Sequence, residues 1–275
     1  MTSAEGRARR LVAAGLLVFV ASCSRAPDAS SPPANAAAPP PANAAAPAPP
    51  APTIEIPKPP PPIDRAALLG AVAQAAEAFA TGQAPPPELA KLAGRRFEVR
   101  LPFGCHGPAP ADAPLGYAWE PKARKLTLRA TPQTWTDEKP IRALLGSPAT
   151  EAIEGFWLSR PWIHSADCPA QPVEPAETAA PQTVGLAQVF DKGGSRLLRR
   201  NGRAYEATRR LEDAQTPPAS GYRLVLAGRI VDRDGATIRC RSDGADQRPV
   251  CFVLVEMDHV SLETPEGDAV ADWSS

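Results

Sequence analysis

Thirty basic and 30 acidic residues among 275 leave the chain with no net charge, so no global attraction draws it to nucleic acid. Fifteen of its 35 prolines fall between Ala26 and Pro62, which excludes helix and sheet there, because proline fixes φ and removes a donor. No cofactor, metal or nucleophile motif is present: there is no C-x-x-C, H-E-x-x-H, G-x-S-x-G or G-x-x-x-x-G-K-S/T.

At the start, Arg7, Arg9 and Arg10 outweigh Glu5, and Leu11–Ala21 is an unbroken run of apolar and small residues. These are the n-region and h-region of a secretory signal. A helix of that length reaches only about 16 Å, against a hydrocarbon core of ~30 Å, so a permanent span is not expected. Arg9-Arg10 hints at a twin-arginine signal, but Ala8 and Val12 fit that motif poorly. Val20-Ala21-Ser22-Cys23 comes next and resembles the lipobox of bacterial lipoproteins: an aliphatic residue, two small ones, then cysteine. A thiol must accept the diacylglycerol, and small neighbours let the signal peptidase reach the backbone. Val20 stands where leucine is commoner. The resemblance implies cleavage before Cys23 and its acylation, palmitate included. Ser24, rather than Asp, after the cysteine implies the outer membrane, facing the periplasm, over the inner one. The rival reading of Cys23 is a thiol near an ordinary cleavage site, a liability in an oxidising compartment.

Pro-Pro-Ala-Asn-Ala-Ala-Ala-Pro occurs at 32–39 and again, unchanged, at 40–47. Such a chain is polyproline-like and extends by ~3.1 Å per residue, which suits a spacer between membrane and body. A Pro-rich ligand for a partner domain is the alternative. The composition divides the chain into a signal peptide (1–22), a lipidated cysteine with a disordered Pro/Ala-rich spacer (23–63), a helix plus first β unit (64–168), a Pro/Ala/Glu-rich linker (169–182) and a second β unit (183–275).

Asp64 can cap a helix whose apolar positions Leu68, Leu69, Val72, Ala76 and Phe79 recur at three and four, with Gly82 closing it. A short helix around 88–93 ends at Gly94. Phe97, Val99, Leu101 and Phe103 then alternate with polar residues or proline, the period of a half-buried strand. Tyr117, Trp119, the turn-like Glu120-Pro121-Lys122, Leu126 and Leu128 suggest a hairpin, and 153–158 a further strand. Past the joint, 184–190 reads as strand, Asn201-Gly202 as a two-residue hairpin turn, and 222–231, Asp234-Gly235 and 237–241 as strand, turn, strand. The run 250–257 is the most β-like in the chain. The expected fold is mainly β (α+β): an N-terminal helix, then one or two small antiparallel units, barrel-like or sandwich-like.

Cys105, Cys168, Cys240 and Cys251 make an even set in an exported chain, which reads as two disulfides. Three pairings are open. The strand layout favours Cys240 with Cys251 across neighbouring strands and Cys105 with Cys168 within the first unit, since crossed pairs would need interleaved halves. His106 and His164 adjoin the latter pair; a metal there would need a third ligand such as Asp112 or Asp167. His259 completes the histidines.

Trp119, Trp135, Trp157 and Trp162 raise the prospect of stacking on a glycan, against the commoner task of core packing. Phe156 and Trp157 cannot share one face of a strand. Arg196, Arg199, Arg200, Arg203, Arg209 and Arg210 form a candidate patch for anionic headgroups. Their internal alternative is pairing with the acidic C-terminal stretch of Glu256, Asp258, Glu263, Glu266, Asp268 and Asp272. Asp191-Lys192-Gly193-Gly194-Ser195 reads as a turn. The expectation is a lipid-anchored, non-catalytic binding or accessory module of the envelope, with a protein or glycan partner and no nucleic acid. The alternative is an enzyme acting on peptidoglycan or another surface polymer. Apart from the lipobox region, the body resembles only uncharacterised envelope lipoproteins of proteobacteria, which implies no activity.

Overall fold

Asp64 caps helix α1 (Arg65–Thr81), its carboxylate accepting the Ala67 N–H at 2.8 Å, and Gly82 ends the helix at φ 65°. Both ends follow from the residues expected to make them. The computed structural model describes residues 58–169 and 181–274. The signal peptide, Cys23, the spacer through Pro57 and residues 170–180 of the expected linker lie outside the described residues.

A single helical turn, α2 (Pro87–Ala90), leads into β1 (Arg96–Phe103), where Phe97, Val99, Leu101 and Phe103 are buried. β2 (Leu115–Glu120) and β3 (Lys125–Ala130) form the expected hairpin. They are followed by the short β4 (Gln133–Thr134), α3 (Lys139–Leu145) and β5 (Thr150–Trp157). The second half supplies β6 (Val184–Asp191), β7 (Tyr205–Arg210), β8 (Tyr222–Ile230) and β9 (Ile238–Arg241). It closes with β10 (Val250–Glu263) and β11 (Ala269–Ser274).

The fold is mainly β, in two sheets, neither closed into a barrel. The larger runs β1-β8-β10-β6-β5-β4, with β9 and β11 also on β10; the smaller is β2-β3-β7. β10 is the organising strand. Its first residues lie between parallel β6 and antiparallel β9, and its later ones between β8 and β11. β8 and β9 run along one side of it in succession, interrupted by the Asp234-Gly235 turn, whose φ values are 52° and 82°.

This pairing revises the two-unit layout. β1 pairs with β8 along its whole length, β3 with β7, and β5 with β6, so strands from both sides of the 169–182 linker share each sheet. Contacts from Pro57 onward accordingly form one unit. The Pro/Ala/Glu composition marks a connection, not a boundary, because neither half can complete its sheets alone. The spacer boundary also moves. Ile63 is buried and bridges to β1, its N–H donating to the Arg96 carbonyl at 2.8 Å and its carbonyl accepting from Glu98 at 2.9 Å.

The larger sheet is covered on both faces, which explains why β10 reads as an unbroken apolar run rather than an alternating one. One face, with Cys251, Val253 and Val255, belongs to the main core with α1 and β3. The other, with Phe252 and Leu254, packs with Trp135, Ile141, Leu145 and Ile153. Phe156 is buried in the first core and Trp157 lies against the second, so the neighbours take opposite faces as strand geometry requires.

Both disulfides join the favoured partners: Cys105 with Cys168 and Cys240 with Cys251. Cys240 and Cys251 face each other directly across β9 and β10. Because the halves do interleave, the Cys240–Cys251 pairing comes from strand register, and Cys105–Cys168, between the turn after β1 and the loop after β5, does not mark a separate unit.

Tyr205 and Tyr222 are almost wholly buried, and burial pushes both hydroxyls up to about 12. The neutral Tyr205 hydroxyl donates to the Leu198 carbonyl at 2.8 Å. With folded values above the ordinary one of about 10, the stability these groups contribute is whole below that pH and is lost as pH rises through about 12. Alkaline titration should show late tyrosinate absorbance coincident with loss of near-ultraviolet dichroism. Ionisation of all tyrosines near pH 10 in a still-folded body would contradict this burial.

Candidate functional site

Residues of α1 that face the core are Leu68, Leu69, Val72, Ala75 and Ala78; its outer side carries Ala73, Ala80 and Phe79 with only Glu77 charged. An outer helix surface this poor in charge is unusual, since solvated faces carry Lys, Arg, Glu and Asp. It forms one wall of a groove of about 420 Å³. The opposite wall is the loop after β5, with Pro161, Trp162 and His164. Thr183, Arg248 and Pro249 contribute further lining where β6 and β10 begin.

The loop wall is fixed by a buried cation. Arg65, the first residue of α1, is 4% exposed, and its guanidinium donates to the carbonyls of Ser159 (2.7 Å), Arg160 (3.0 Å) and Ile163 (2.9 Å). Burial first, then the neighbouring Arg160 charge, lowers its pKa. Arg160 has a positive φ of 50° and donates to Cys105 Sγ at 3.6 Å, tying the loop to the disulfide. Trp162 sits in this anchored loop yet is 57% exposed. Exposure of a large aromatic on a held loop is the combination that binding sites use.

The other tryptophans lie in or against the two cores. Trp135 is fully buried, with Trp157 at 5.0 Å and Phe252 at 5.1 Å in edge contacts, while Trp119 packs on the main core. Composition alone gave no means of separating Trp162 from the rest.

The six arginines do not converge on one free surface. Arg196 and Arg199 both grip Glu151, at 2.7 and 3.1 Å, and the Arg199 hydrogen bond first of all holds that carboxyl below its usual range. Arg200 stacks 4.6 Å from the Tyr205 ring centroid and donates to the Arg203 carbonyl, Arg203 donates back to the Arg200 carbonyl, and Arg209 donates to the Val270 carbonyl. Among the described residues only Arg210 of the six makes no side-chain bond. The ion pairs found for the C-terminal acids among the described residues lead to other arginines: Asp258 pairs with Arg96 at 2.8 Å and Glu263 with Arg100 at 3.6 Å. The organiser missed by sequence is Glu154, buried on β5, whose carboxylate accepts the Arg200 and Asn201 N–H groups at 2.8 Å each. Asn201 and Gly202 do have positive φ, 52° and 75°, but they turn a loop between two sheets and not a hairpin.

Among the described residues no group of three His, Cys, Asp or Glu could hold a metal. Asp167 is committed to Arg223, and His259 Nδ1 lies 3.1 Å from Ser274 Oγ. A second cavity, of about 240 Å³, contains Asp191. Its carboxyl is lowered chiefly by the Arg233 hydrogen bond at 2.8 Å and also accepts from Thr150 at 3.1 Å. That arrangement secures the end of β6 and the following Lys192–Ser195 turn. No family model, curated protein or solved structure matches the chain.

Proposed function

We propose that this chain is a bacterial envelope lipoprotein, cut before Cys23 and anchored through it, with a non-catalytic binding or accessory body carried on a Pro/Ala-rich spacer. Outer-membrane attachment facing the periplasm follows from Ser24 beside the lipidated cysteine. The observation that carries the reading is cysteine arithmetic. Of five cysteines, four are joined in two disulfides within the body. Cys23 is left over, at the one place where a lipobox needs it. Paired body cysteines also suit an oxidising compartment. No helix of the described residues is long and apolar enough to cross a membrane, so within the reading the lipid supplies the attachment. Trp162 and its groove give the body a surface for a partner.

The parent should partition into detergent, whereas Cys23→Ser should yield a soluble or unprocessed protein. Intact mass should show a diacylated terminus on the parent alone. An unmodified mature terminus would refute the reading.

A further inference from the structure

The groove beside α1 combines features that seldom occur together by packing alone. Its floor and helix wall are small and apolar, with Ala73, Ala76 and Ala80 presented by α1. Trp162 offers an exposed indole on the opposite wall. The polar groups at its margin are Glu77, His164 and Arg248, all exposed and none engaged in an ion pair or side-chain hydrogen bond among the described residues. Most arginines of the body are bound to carboxylates or main-chain carbonyls, as at Arg96, Arg196 and Arg239, with Arg210 and Arg229 as exceptions among the described residues. Arg248 stands uncommitted beside an apolar trough.

We propose that this groove binds a carboxylate-bearing, N-acylated amino-sugar strand of the peptidoglycan type. A pyranose ring has a face of C–H bonds that complements the electron-rich indole face, while its hydroxyls project sideways toward polar margins. The methyl of an N-acyl group fits the alanine wall. A lactyl or peptide carboxylate pairs with Arg248, whose forked donors suit it, and Glu77 accepts from an amide or hydroxyl on the other wall. The volume of about 420 Å³ falls within the range of small-ligand sites of roughly 300–1,000 Å³. A protein partner would need a much broader surface, about 800 Å² from each side. The three carbonyl bonds from Arg65 hold the Trp162 loop before ligand arrives, which lowers the ordering cost of binding.

The choice of polymer rests on the envelope reading, but the site chemistry does not. The test uses the detergent-solubilised full chain, with lipidation read by mass in the same sample, so failure of the anchor and failure of the groove are told apart. The chain should sediment with isolated peptidoglycan sacculi. Trp162→Ala and the groove-filling Ala80→Arg should each weaken binding roughly ten-fold, about the loss of one aromatic anchor. Phe79→Ala, an exposed aromatic outside the groove lining, should bind as the parent does. Arg248→Gln should weaken binding to a soluble muropeptide but not to a neutral N-acetylglucosamine oligomer, and salt should mimic it. Absence of parent sedimentation, or parental binding by Trp162→Ala and Ala80→Arg alike, would overturn the proposal. So would a photocrosslinker at Ala80 that captures only protein from whole envelopes.

Discussion

Trp135→Ala should cost the body about 3–5 kcal/mol, the range for emptying a buried aromatic site. The indole is completely buried between α3 and the larger sheet, and two glycines shape its seat. A Cβ on Gly155 would stand 2.8 Å from the indole and 1.9 Å from the Leu186 carbonyl oxygen, and one on Gly185 would stand 3.3 Å from the indole. Backbone on one side and Trp157 and Phe252 on the other leave little to collapse into the space. Urea unfolding monitored by circular dichroism measures the loss, and a change below about 1 kcal/mol would show that this second core is dispensable. Gly155→Ala should be nearly as damaging, by steric conflict rather than by a cavity.

Removal of the Cys105–Cys168 bridge, as the double alanine variant, should destabilise the body by roughly 4 kcal/mol on the loop-entropy account, against roughly 3 for Cys240–Cys251. The sequence separations are 63 and 11 residues. The ranking has a second cause beyond loop length. Cys240 and Cys251 are already held opposite by the β9–β10 ladder, whereas Cys105 follows β1 and Cys168 lies in a loop beyond Trp162 with few ladder bonds of its own. Against typical stabilities of ~5–15 kcal/mol, either loss is large. Denaturant melts of the two double variants give the ranking, and hydrogen exchange around Trp162 should rise only in the first. The reverse order would mean that the β9–β10 edge depends on its bridge.

Local chemistry made much of this molecule legible. Asp64 and Gly82 set the ends of α1, the alternation at Phe97–Phe103 set β1, and the strand-like runs 153–158, 184–190 and 222–231 located β5, β6 and β8. What was hidden was partnership. Strand periodicity states which face a residue takes but not which strand lies beside it, so β1 with β8 and β3 with β7 had no local signature. α3 was missed because Pro140 and only seven residues carry no helical repeat. The arginine cluster looked like a patch because charge is read along the chain, while Glu151 and Glu154, which organise it, come from a strand some 45 residues away. In sequence Trp162 looks like any of the tryptophans; the loop that carries it is held by Arg65, nearly 100 residues earlier.

β10 lies at 250–263, close to the end of the chain, and it is the strand on which β6, β8, β9 and β11 all assemble. β2, β3 and β7 form their sheet without it, but the pairs β1–β8 and β5–β6 share a sheet only through β10, so the larger sheet is not completed before that strand is in place. Such distant pairings also form slowly, because loop closure comes before its reward. β10 is therefore the keystone of the assembly: until it docks, the β1–β8 and β5–β6 pairs are two separate ribbons with unpaired edges.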